Sequence, residues 1–240
     1  MPTKSESTVE SGSIFGSLKS LPRGPHGLSR DEVMTSQHDR LLASVVELVA
    51  ANGYVATTIT EIAKHAGVSP NVFYEHFASK EECFLAAYDR FATELLARIT
   101  DGVAEAPDWS QFIEASMQAY LSTLDDERIA ARAFLLEMDA AGPEARRRRQ
   151  IAFSAYSAMI KQQHTQMRQA APELGELSDH AYLAISMGVR GVVCDQLEAD
   201  PQARLVDLAP DVAHWVTAMV LGAAAASEEL TAHAERRTDS

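Results

Sequence analysis

Residues 57–84, TTITEIAKHAGVSPNVFYEHFASKEECF, contain a dense set of signals for starting and ending helices. Thr58 and Glu61 form a capping box, in which the Thr hydroxyl accepts from a backbone amide and the carboxylate reaches back. Gly67 ends that helix, because a left-handed residue is favoured just past a helix C-terminus. Ser69-Pro70 starts another helix at once, with Ser as N-cap and Pro at the first helical position. This spacing restricts the segment to two short helices joined by a tight turn.

Two such helices make a helix-turn-helix, and the apolar pattern is consistent with one. The small residues Ala63 and Ala66 allow the two helices to cross closely. The predicted shared core consists of the larger apolar residues on both helices, namely Ile59, Ile62, Val68, Phe73 and Phe77. A second capping box, Ser79 to Glu82, predicts the start of a longer helix.

The second short helix presents a face suited to a DNA groove. With Phe73 and Phe77 directed inward, the 100° step of the helix leaves the remaining side chains outside. These side chains, with the first of the next helix, are Asn71, Val72, Tyr74, Glu75, His76 and Lys80. Asn can pair with an adenine edge, Val can meet a thymine methyl group, and Tyr, His and Lys can bind phosphates.

Residues 36–90 resemble the DNA-binding part of the tetracycline-repressor (TetR) family of bacterial regulators. The resemblance rests on pairs and runs that fall in register: Gly53-Tyr54, Ile62-Ala63, Ala66-Gly67-Val68-Ser69, Phe73-Tyr74, His76-Phe77 and Ser79-Lys80. It implies that helix 70–77 enters the major groove of double-stranded DNA. The DNA-binding residues predicted in this way are Thr58, Ser69, Pro70, Asn71, Val72, Tyr74, His76 and Lys80. The family often has Gly where this chain has Asn71, so the operator sequence cannot be carried over.

The rest of the chain has helical periodicity interrupted by Pro and Gly, with no strand-like alternation, and therefore predicts an all-α protein. Its expected architecture is an N-terminal three-helix helix-turn-helix domain followed by a larger helical ligand-binding and dimerisation domain. Helices are predicted at 36–52, 58–66, 70–77, 80–101, 109–124, 127–140, 143–170, 178–199 and 209–227. The expected domains are a disordered arm (1–30), a DNA-binding domain (31–90), a ligand-binding and dimerisation domain (91–230) and a disordered tail (231–240).

The family architecture implies two further sites in the second domain. Helices 178–199 and 209–227 would pair with those of a second subunit, and the residues expected at that interface are Gly188, Gly191, Val192, Trp215 and Gly222. Helices 109–170 would enclose a small-molecule pocket. Its expected lining is aromatic and Met-rich: Trp109, Phe112, Tyr120, Phe134, Met138, Phe153, Tyr156 and Met187. Such residues at helical spacing are equally consistent with an ordinary core.

Charge and composition restrict the remaining possibilities. The net charge is −13, which argues against non-specific coating of nucleic acid, while residues 1–30 are Ser- and Gly-rich with four basic and two acidic residues. Arg23 and Arg30 of this arm either reach an adjacent minor groove or belong to a flexible leader. The run RRRR at 146–149 is expected on a solvated face. Arg190 is expected in an internal ion pair or with its stem along apolar surface, and the alternative is a cation at the dimer interface or in the pocket.

Several classes of protein have no support in the sequence. Cys83 and Cys194 have no metal or redox spacing, and the His residues have no ligand spacing, so no metal site or cofactor is expected. No phosphate loop, nucleophile elbow or paired carboxylates indicate an enzyme. The apolar run 215–226 is too short to cross a bilayer, and no secretory signal opens the chain. These observations favour a cytoplasmic protein.

The sequence thus predicts a homodimeric DNA-binding transcription regulator. We expect a repressor that a small-molecule inducer releases from a pseudopalindromic operator. One alternative is a helical adaptor controlled by protein partners without a small-molecule inducer, which an emptied or plugged cavity would favour. Another is a helical enzyme, which would place pKa-shifted groups together in a deep pocket.

Overall fold

The computed structural model describes residues 13–16, 29–172 and 174–238, and within them the chain is helical, without strands. The α-helices are α1 (Arg30–Asn52), α2 (Ile59–His65), α3 (Pro70–His76), α4 (Lys80–Gly102), α5 (Trp109–Asp126), α6 (Arg128–Leu136), α7 (Pro143–Arg168), α8 (Asp179–Ala199) and α9 (Ala209–Thr238). Short 3-10 helices precede α7 (Met138–Ala141) and α9 (Leu205–Leu208). The predicted all-α class, with a helix-turn-helix followed by a larger helical part, is confirmed.

Three helix boundaries differ from the sequence prediction. Helix α1 begins at Arg30 rather than near residue 36, because Ser29 and Glu32 form a capping box. Helix α6 ends at Leu136 and gives way to a 3-10 turn that stops at Gly142, whose φ of 104° breaks the helix. Helix α9 continues to Thr238, through most of the stretch predicted as a disordered tail.

The turn between α2 and α3 has the geometry that the sequence predicts. Gly67 lies in the left-handed region with φ of 67°. Its N–H donates to the Lys64 carbonyl at 3.1 Å, and the Val68 N–H donates to the Ala63 carbonyl at 2.9 Å. These two bonds form a Schellman motif, which satisfies the last carbonyls of α2. Arg40 of α1 adds a bond from Nη1 to the Ala66 carbonyl at 2.8 Å, so the turn is fastened to α1.

Helix α4 connects the two parts of the molecule. Its first half packs against α1, and its second half packs against α5 and α7. Phe84 and Phe91, both on α4, place their ring centroids 5.3 and 5.2 Å from that of Phe134 on α6. The Phe134 side chain is 1% exposed. A single aromatic cluster therefore lies where the helix-turn-helix meets the larger domain.

The four described residues of the N-terminal arm are docked on the protein. Ile14 and Phe15 are buried against the main core. The prediction that the whole of 1–30 is disordered is therefore wrong for 13–16, since an apolar pair here finds a site that composition alone does not reveal. Arg23, with residues 1–12 and 17–28, lies outside the described residues, and Arg30 belongs to α1.

One helix of the described residues is long and apolar enough, by length and composition, to cross a membrane. It is the stretch Leu205–Ala223, with a mean hydropathy of 1.2 and a third of its window buried. The sequence prediction considered only residues 215–226, and the apolar stretch is longer because it begins at Leu205. A core helix of a soluble protein passes the same test, and here Val212, Val216 and Val220 are fully buried.

Gly67→Ala should lower the free energy of unfolding by about 1–2 kcal/mol, because a Cβ disfavours the left-handed conformation. That Cβ would also lie 3.3 Å from Arg40 Nη1, which holds the turn. Urea unfolding followed by circular dichroism would measure the change. Lys64→Ala, on the exposed face of α2 three residues earlier, is the control and should stay within about 0.5 kcal/mol of the wild type. Equal effects of the two substitutions would contradict a strained turn.

Candidate nucleic-acid interface and ligand cavity

Helix α3 is positioned by its N-cap and by two buried rings. The Ser69 hydroxyl accepts from the Val72 N–H at 3.3 Å, and Pro70 occupies the first helical turn. Phe73 and Phe77 are 0% and 4% exposed, and their rings lie 5.8 Å apart. Because these two rings point into the core, the opposite face of the helix is fixed toward solvent.

The solvent face of α3 contains the predicted base-reading residues. Asn71 is exposed, Val72 is half-buried, and Tyr74 is 58% exposed. The Tyr74 ring meets Phe73 edge-on at 5.7 Å, which leaves the phenol directed away from the core. The outward orientation of these side chains is the one predicted from the sequence, and their contact with a DNA groove stays a prediction.

His76 is less available than the sequence indicates. Its Nε2 lies 3.3 Å from Gln37 Oε1 on α1, and the side chain is half-buried. Burial, and then the neighbouring His38, lower the pKa of His76, so the imidazole is held in its neutral form near pH 7. A phosphate beside it would oppose this shift by favouring the protonated ring.

Lys80 connects α4 to the loop before α2. Its Nζ donates to the carbonyls of Tyr54 and Thr57 at 2.7 and 2.8 Å, and lies 4.2 Å above the centre of the Tyr54 ring. Burial lowers the pKa of Lys80. Two of the three ammonium N–H groups are thus used inside the protein, and the phosphate contact of Lys80 stays a prediction. Sequence reasoning missed this structural role, because the loop carbonyls are brought together only in the fold.

Thr58 occupies the start of α2, as predicted. Its N–H and hydroxyl both donate to Glu61 Oε2, at 2.9 and 2.7 Å, and its hydroxyl accepts from the Glu61 N–H at 3.3 Å. These hydrogen bonds lower the pKa of Glu61. The residue is exposed.

The larger domain contains a cavity of about 330 Å³ between α4, α5, α6, α7 and α8. Most of its wall is apolar: Phe91, Leu95, Leu96, Ile99, Phe134, Ala152, Phe153 and Val189. A few polar groups converge on it, among them Tyr120, Tyr156 and Ser186. A mostly apolar pocket with a few placed polar groups is typical of a small-molecule site.

The cavity includes only part of the predicted lining. Tyr120, Phe134, Phe153 and Tyr156 contribute to its wall. The other four predicted residues do not: Trp109, Phe112 and Met138 are buried elsewhere in the core, and Met187 is 55% exposed on α8. Periodicity identifies the inner face of a helix, but it does not show which inner residues border a space.

Three arginines border the cavity. The sequence offered this place for Arg190 only as an alternative, and it did not predict it for Arg148 and Arg149. Arg148 pairs with Asp89 and Glu144, and Arg149 pairs with Asp139 at 2.7 Å. Arg190 donates from Nη2 to the Leu135 carbonyl at 2.5 Å, and its buried Nε has no hydrogen-bond partner among the described residues. The 146–149 run is therefore divided, since its last two residues face the cavity rather than open solvent.

Tyr156 provides a fixed hydroxyl in the wall. Its hydroxyl oxygen lies 2.8 Å from Ser116 Oγ on α5. Burial raises the pKa of Tyr156 to about 12, and burial likewise raises the pKa of Tyr120. Both phenols therefore stay protonated at neutral pH and can donate to a ligand oxygen.

A direct contact joins the end of α6 to the helix-turn-helix. Glu137 Oε2 accepts from the Tyr54 N–H at 2.9 Å. The neighbouring Gly53 has φ of 82°, and a Cβ there would lie 3.3 Å from the same carboxylate oxygen. Glu137 follows Leu135, whose carbonyl holds Arg190 of the cavity wall. Leu135, which contacts the cavity wall, and Glu137, which contacts the loop before α2, are thus only two positions apart in the chain.

The helix-turn-helix matches the model of a known family, described as bacterial regulatory proteins of the tetR family, over residues 41–87. Two curated regulators are similar to part of the chain. FasR of Mycolicibacterium smegmatis, a transcriptional activator, is 32% identical over 100 residues, and TcmR of Streptomyces glaucescens is 39% identical over 83 residues.

The predicted resemblance to the tetR family is therefore confirmed for the helix-turn-helix part of the chain, residues 41–87. The alignment spans 42% of this chain and 44% of FasR, and 35% of this chain and 36% of TcmR, so it covers less than half of each relative. The relatives that match this part of the chain are named as transcription regulators. Among the described residues no cluster of three or more His, Cys, Asp or Glu has the arrangement of a metal site.

Two solved structures share the fold of this chain over most of its length. The fatty acid degradation regulator FadR of Bacillus halodurans has a TM-score of 0.69 at 20% identity and covers 78% of this chain and 95% of its own. FadR of Bacillus subtilis, in complex with stearoyl-CoA, has a TM-score of 0.66 at 20% identity and covers 73% of this chain and 95% of its own.

Lys80→Ala should lower the free energy of unfolding by about 1.5–3 kcal/mol, because two carbonyls lose a charged donor. Tyr74→Ala removes a 58% exposed side chain and should leave that free energy within about 0.5 kcal/mol. Urea unfolding measures both. In DNA titrations, Tyr74→Ala should weaken all sequences to a similar extent, as expected for a phosphate contact. A loss restricted to one base position would contradict that role for Tyr74.

Proposed function

We propose that this protein is a cytoplasmic, homodimeric repressor that leaves its operator when an amphipathic ligand with an anionic head group enters the cavity. The observation that carries the proposal is the continuity of α4. This helix begins at Lys80, beside the helix-turn-helix, and contributes Phe91, Leu95 and Ile99 to the cavity wall. A ligand that shifts this wall also moves the helix that packs against α1, and α1 in turn packs against α2. The same helix holds the loop before α2 through Lys80.

The chemistry of the wall supports the ligand class. An apolar interior binds a hydrocarbon chain, and the arginines at its border bind phosphate or carboxylate groups. The unpartnered Nε of Arg190 and the hydroxyl of Tyr156 offer donors to a carbonyl or thioester oxygen. A long-chain acyl-CoA combines these features, and the similar FadR structure from Bacillus subtilis contains one, stearoyl-CoA.

The ion pair between Arg148 and Asp89 supports a route from ligand to DNA. Asp89 lies on α4 and Arg148 on α7, so this pair joins the two helices at the border of the cavity. Burial raises the pKa of the Asp89 carboxyl, and the Arg148 guanidinium lowers it. An anionic head group that takes Arg148 would leave Asp89 without its partner. The link between α4 and α7 would then weaken, and α4 would be free to shift.

Helices α8 and α9 support the dimer. Large apolar side chains lie exposed along them: Met187, Val192, Met219 and Leu221. Gly188, Gly191 and Gly222 leave low points between these side chains, and Trp215 lies near Gly188, where an added Cβ would meet its Cη2 at 3.4 Å. A second copy would cover this face and set two α3 helices at the spacing of operator half-sites.

The cavity also separates this proposal from its alternative. A helical adaptor without a small-molecule inducer would need no internal space, whereas the larger domain contains about 330 Å³ bordered by three arginines. The sign of regulation rests on the release mechanism proposed above, and the activator FasR among the relatives makes a reporter assay a necessary test of it.

Arg148→Ala should weaken the binding of stearoyl-CoA by about 10- to 100-fold, because a charged hydrogen bond of about 1.5–3 kcal/mol is lost. It should also weaken operator binding in the absence of ligand, because Asp89 then has no partner on α7. The operator fragment would come from in vitro selection, and release would be followed by fluorescence anisotropy. Octadecanol, which has the chain without the charge, should release little DNA from the wild type.

Arg147→Ala is the matched control for this experiment. Arg147 is the preceding residue on α7, is 62% exposed, pairs with Glu144 and does not border the cavity. Its response to stearoyl-CoA should equal that of the wild type. Identical responses of Arg148→Ala and Arg147→Ala would rule out a head-group role for Arg148.

Gly191→Glu should convert the dimer to a monomer and abolish tight operator binding. No atom lies within 4 Å of a Cβ added at Gly191, so the protomer itself can accommodate the side chain. A permanent dimer is expected to bury about 2,000 Å² or more, and a charge inside such an interface is costly. Sedimentation velocity measures the assembly, with Gln162→Glu on the exposed face of α7 as control. A wild-type monomer that binds a palindrome tightly would refute the dimer.

A further inference from the structure

The residues Ser13–Gly16 form a compact turn that sits on the folded protein. The Gly16 N–H donates to the Ser13 carbonyl at 3.0 Å, and Gly16, the last residue of the turn, has a positive φ of 64°. The two apolar side chains within the turn, Ile14 and Phe15, are 6% and 9% exposed. Burial of two large side chains is worth about 1.5–3 kcal/mol each, which is enough to hold a short segment.

Glu127 explains why the turn docks at this place. The Glu127 side chain is 6% exposed, and a carboxylate so deeply buried requires donors. The Ile14 N–H donates to its Oε1 at 2.6 Å, and the Ser13 hydroxyl donates to its Oε2 at 3.0 Å. Arg98 approaches Oε1 at 4.0 Å. Two of the donors to this buried carboxylate therefore come from the N-terminal segment.

The turn also bridges the two parts of the molecule. The Phe15 ring lies 6.3 Å from that of Phe134 on α6 and 5.8 Å from the Arg90 guanidinium on α4. Arg90 in turn pairs with Asp39 on α1 at 2.7 Å. Phe15 and Gly16 share a recess with Asp39 and other residues of α1. The segment is thus in contact with α4, with α6 and with the surroundings of the first helix of the DNA-binding part.

We propose that Ser13–Gly16 is an intramolecular docking segment, bound by Glu127 and Phe134, that holds α1 against α4 and α6 in the orientation that binds DNA. Docking of the segment is independent of the function proposed above, whereas its effect on operator affinity rests on that function. Because Phe134 borders the cavity as well, the same ring is shared by the ligand site and the docking site.

Docking itself is tested by hydrogen exchange on the full-length protein without DNA. The Ile14 amide, bonded to a buried carboxylate, should exchange at least about tenfold more slowly than in the Ile14→Asp variant, whose added charge faces Glu127. Glu127→Gln should also accelerate exchange at Ile14, since it replaces the charged acceptor. Exchange of Ile14 at the rate of an unstructured peptide in the wild type would overturn the proposal.

The effect on DNA is tested by two deletions that differ only in the segment. Removal of residues 2–16 should weaken operator binding by about fivefold or more, within the usual range of coupling between sites. Removal of residues 2–12 retains Ser13–Gly16 and should bind as the wild type does. Measurements are made well below the unfolding temperature of each variant, so that a loss of stability alone leaves the affinity unchanged.

The outcomes are distinguishable. Slow exchange at Ile14 together with equal affinity of the two deletion variants would overturn the role in orienting α1. Weak binding by both deletion variants would assign the effect to residues 2–12 and would likewise overturn it. A wild type that binds no selected DNA would refute the proposed function, while the exchange of Ile14 would still decide whether the segment docks.

Discussion

The packing of Phe134 against α4 is the interaction on which the two-part architecture depends. Phe84, Tyr88 and Phe91 lie on successive turns of α4 and all contact this ring, and Tyr88 meets it edge-on at 5.5 Å. The same ring borders the cavity and lies next to Phe15 of the N-terminal segment. Since protein interiors are close-packed, a change at any of these surfaces is transmitted to the others as a shift of helices rather than absorbed locally.

Polar contacts near this cluster connect it to the loop before α2. Glu137 accepts from the Tyr54 N–H, and Lys80 bonds to the Tyr54 carbonyl and stacks on its ring. The loop before α2 is therefore held from the regulatory side by a carboxylate and from α4 by an ammonium. Nine residues further along α4, Asp89 is held by Arg148 of α7. Movement of α6 or α7 thus has a defined route to the base of the helix-turn-helix.

Buried and half-buried charges in this acidic protein are balanced by nearby charged or hydrogen-bonding groups. Arg148 and Arg149 face the cavity while paired with carboxylates, so neither is an uncompensated buried charge. Glu127, almost fully buried, depends on donors that lie 113 and 114 positions away in the chain. Such long-range pairs are weak in isolation and become strong only where the fold excludes water from them.

The sequence by itself determined the helix-turn-helix and the all-α class, because caps, turns and helical periodicity are local. Thr58, Gly67 and Ser69 act within three or four residues of their own positions, and their geometry follows from their chemistry. The tertiary structure alone decided which aromatic residues border the cavity, where Arg148 and Arg149 point, and that Ser13–Gly16 docks on Glu127. These contacts join residues far apart in the chain, and their partners are chosen by packing, on which periodicity carries no information.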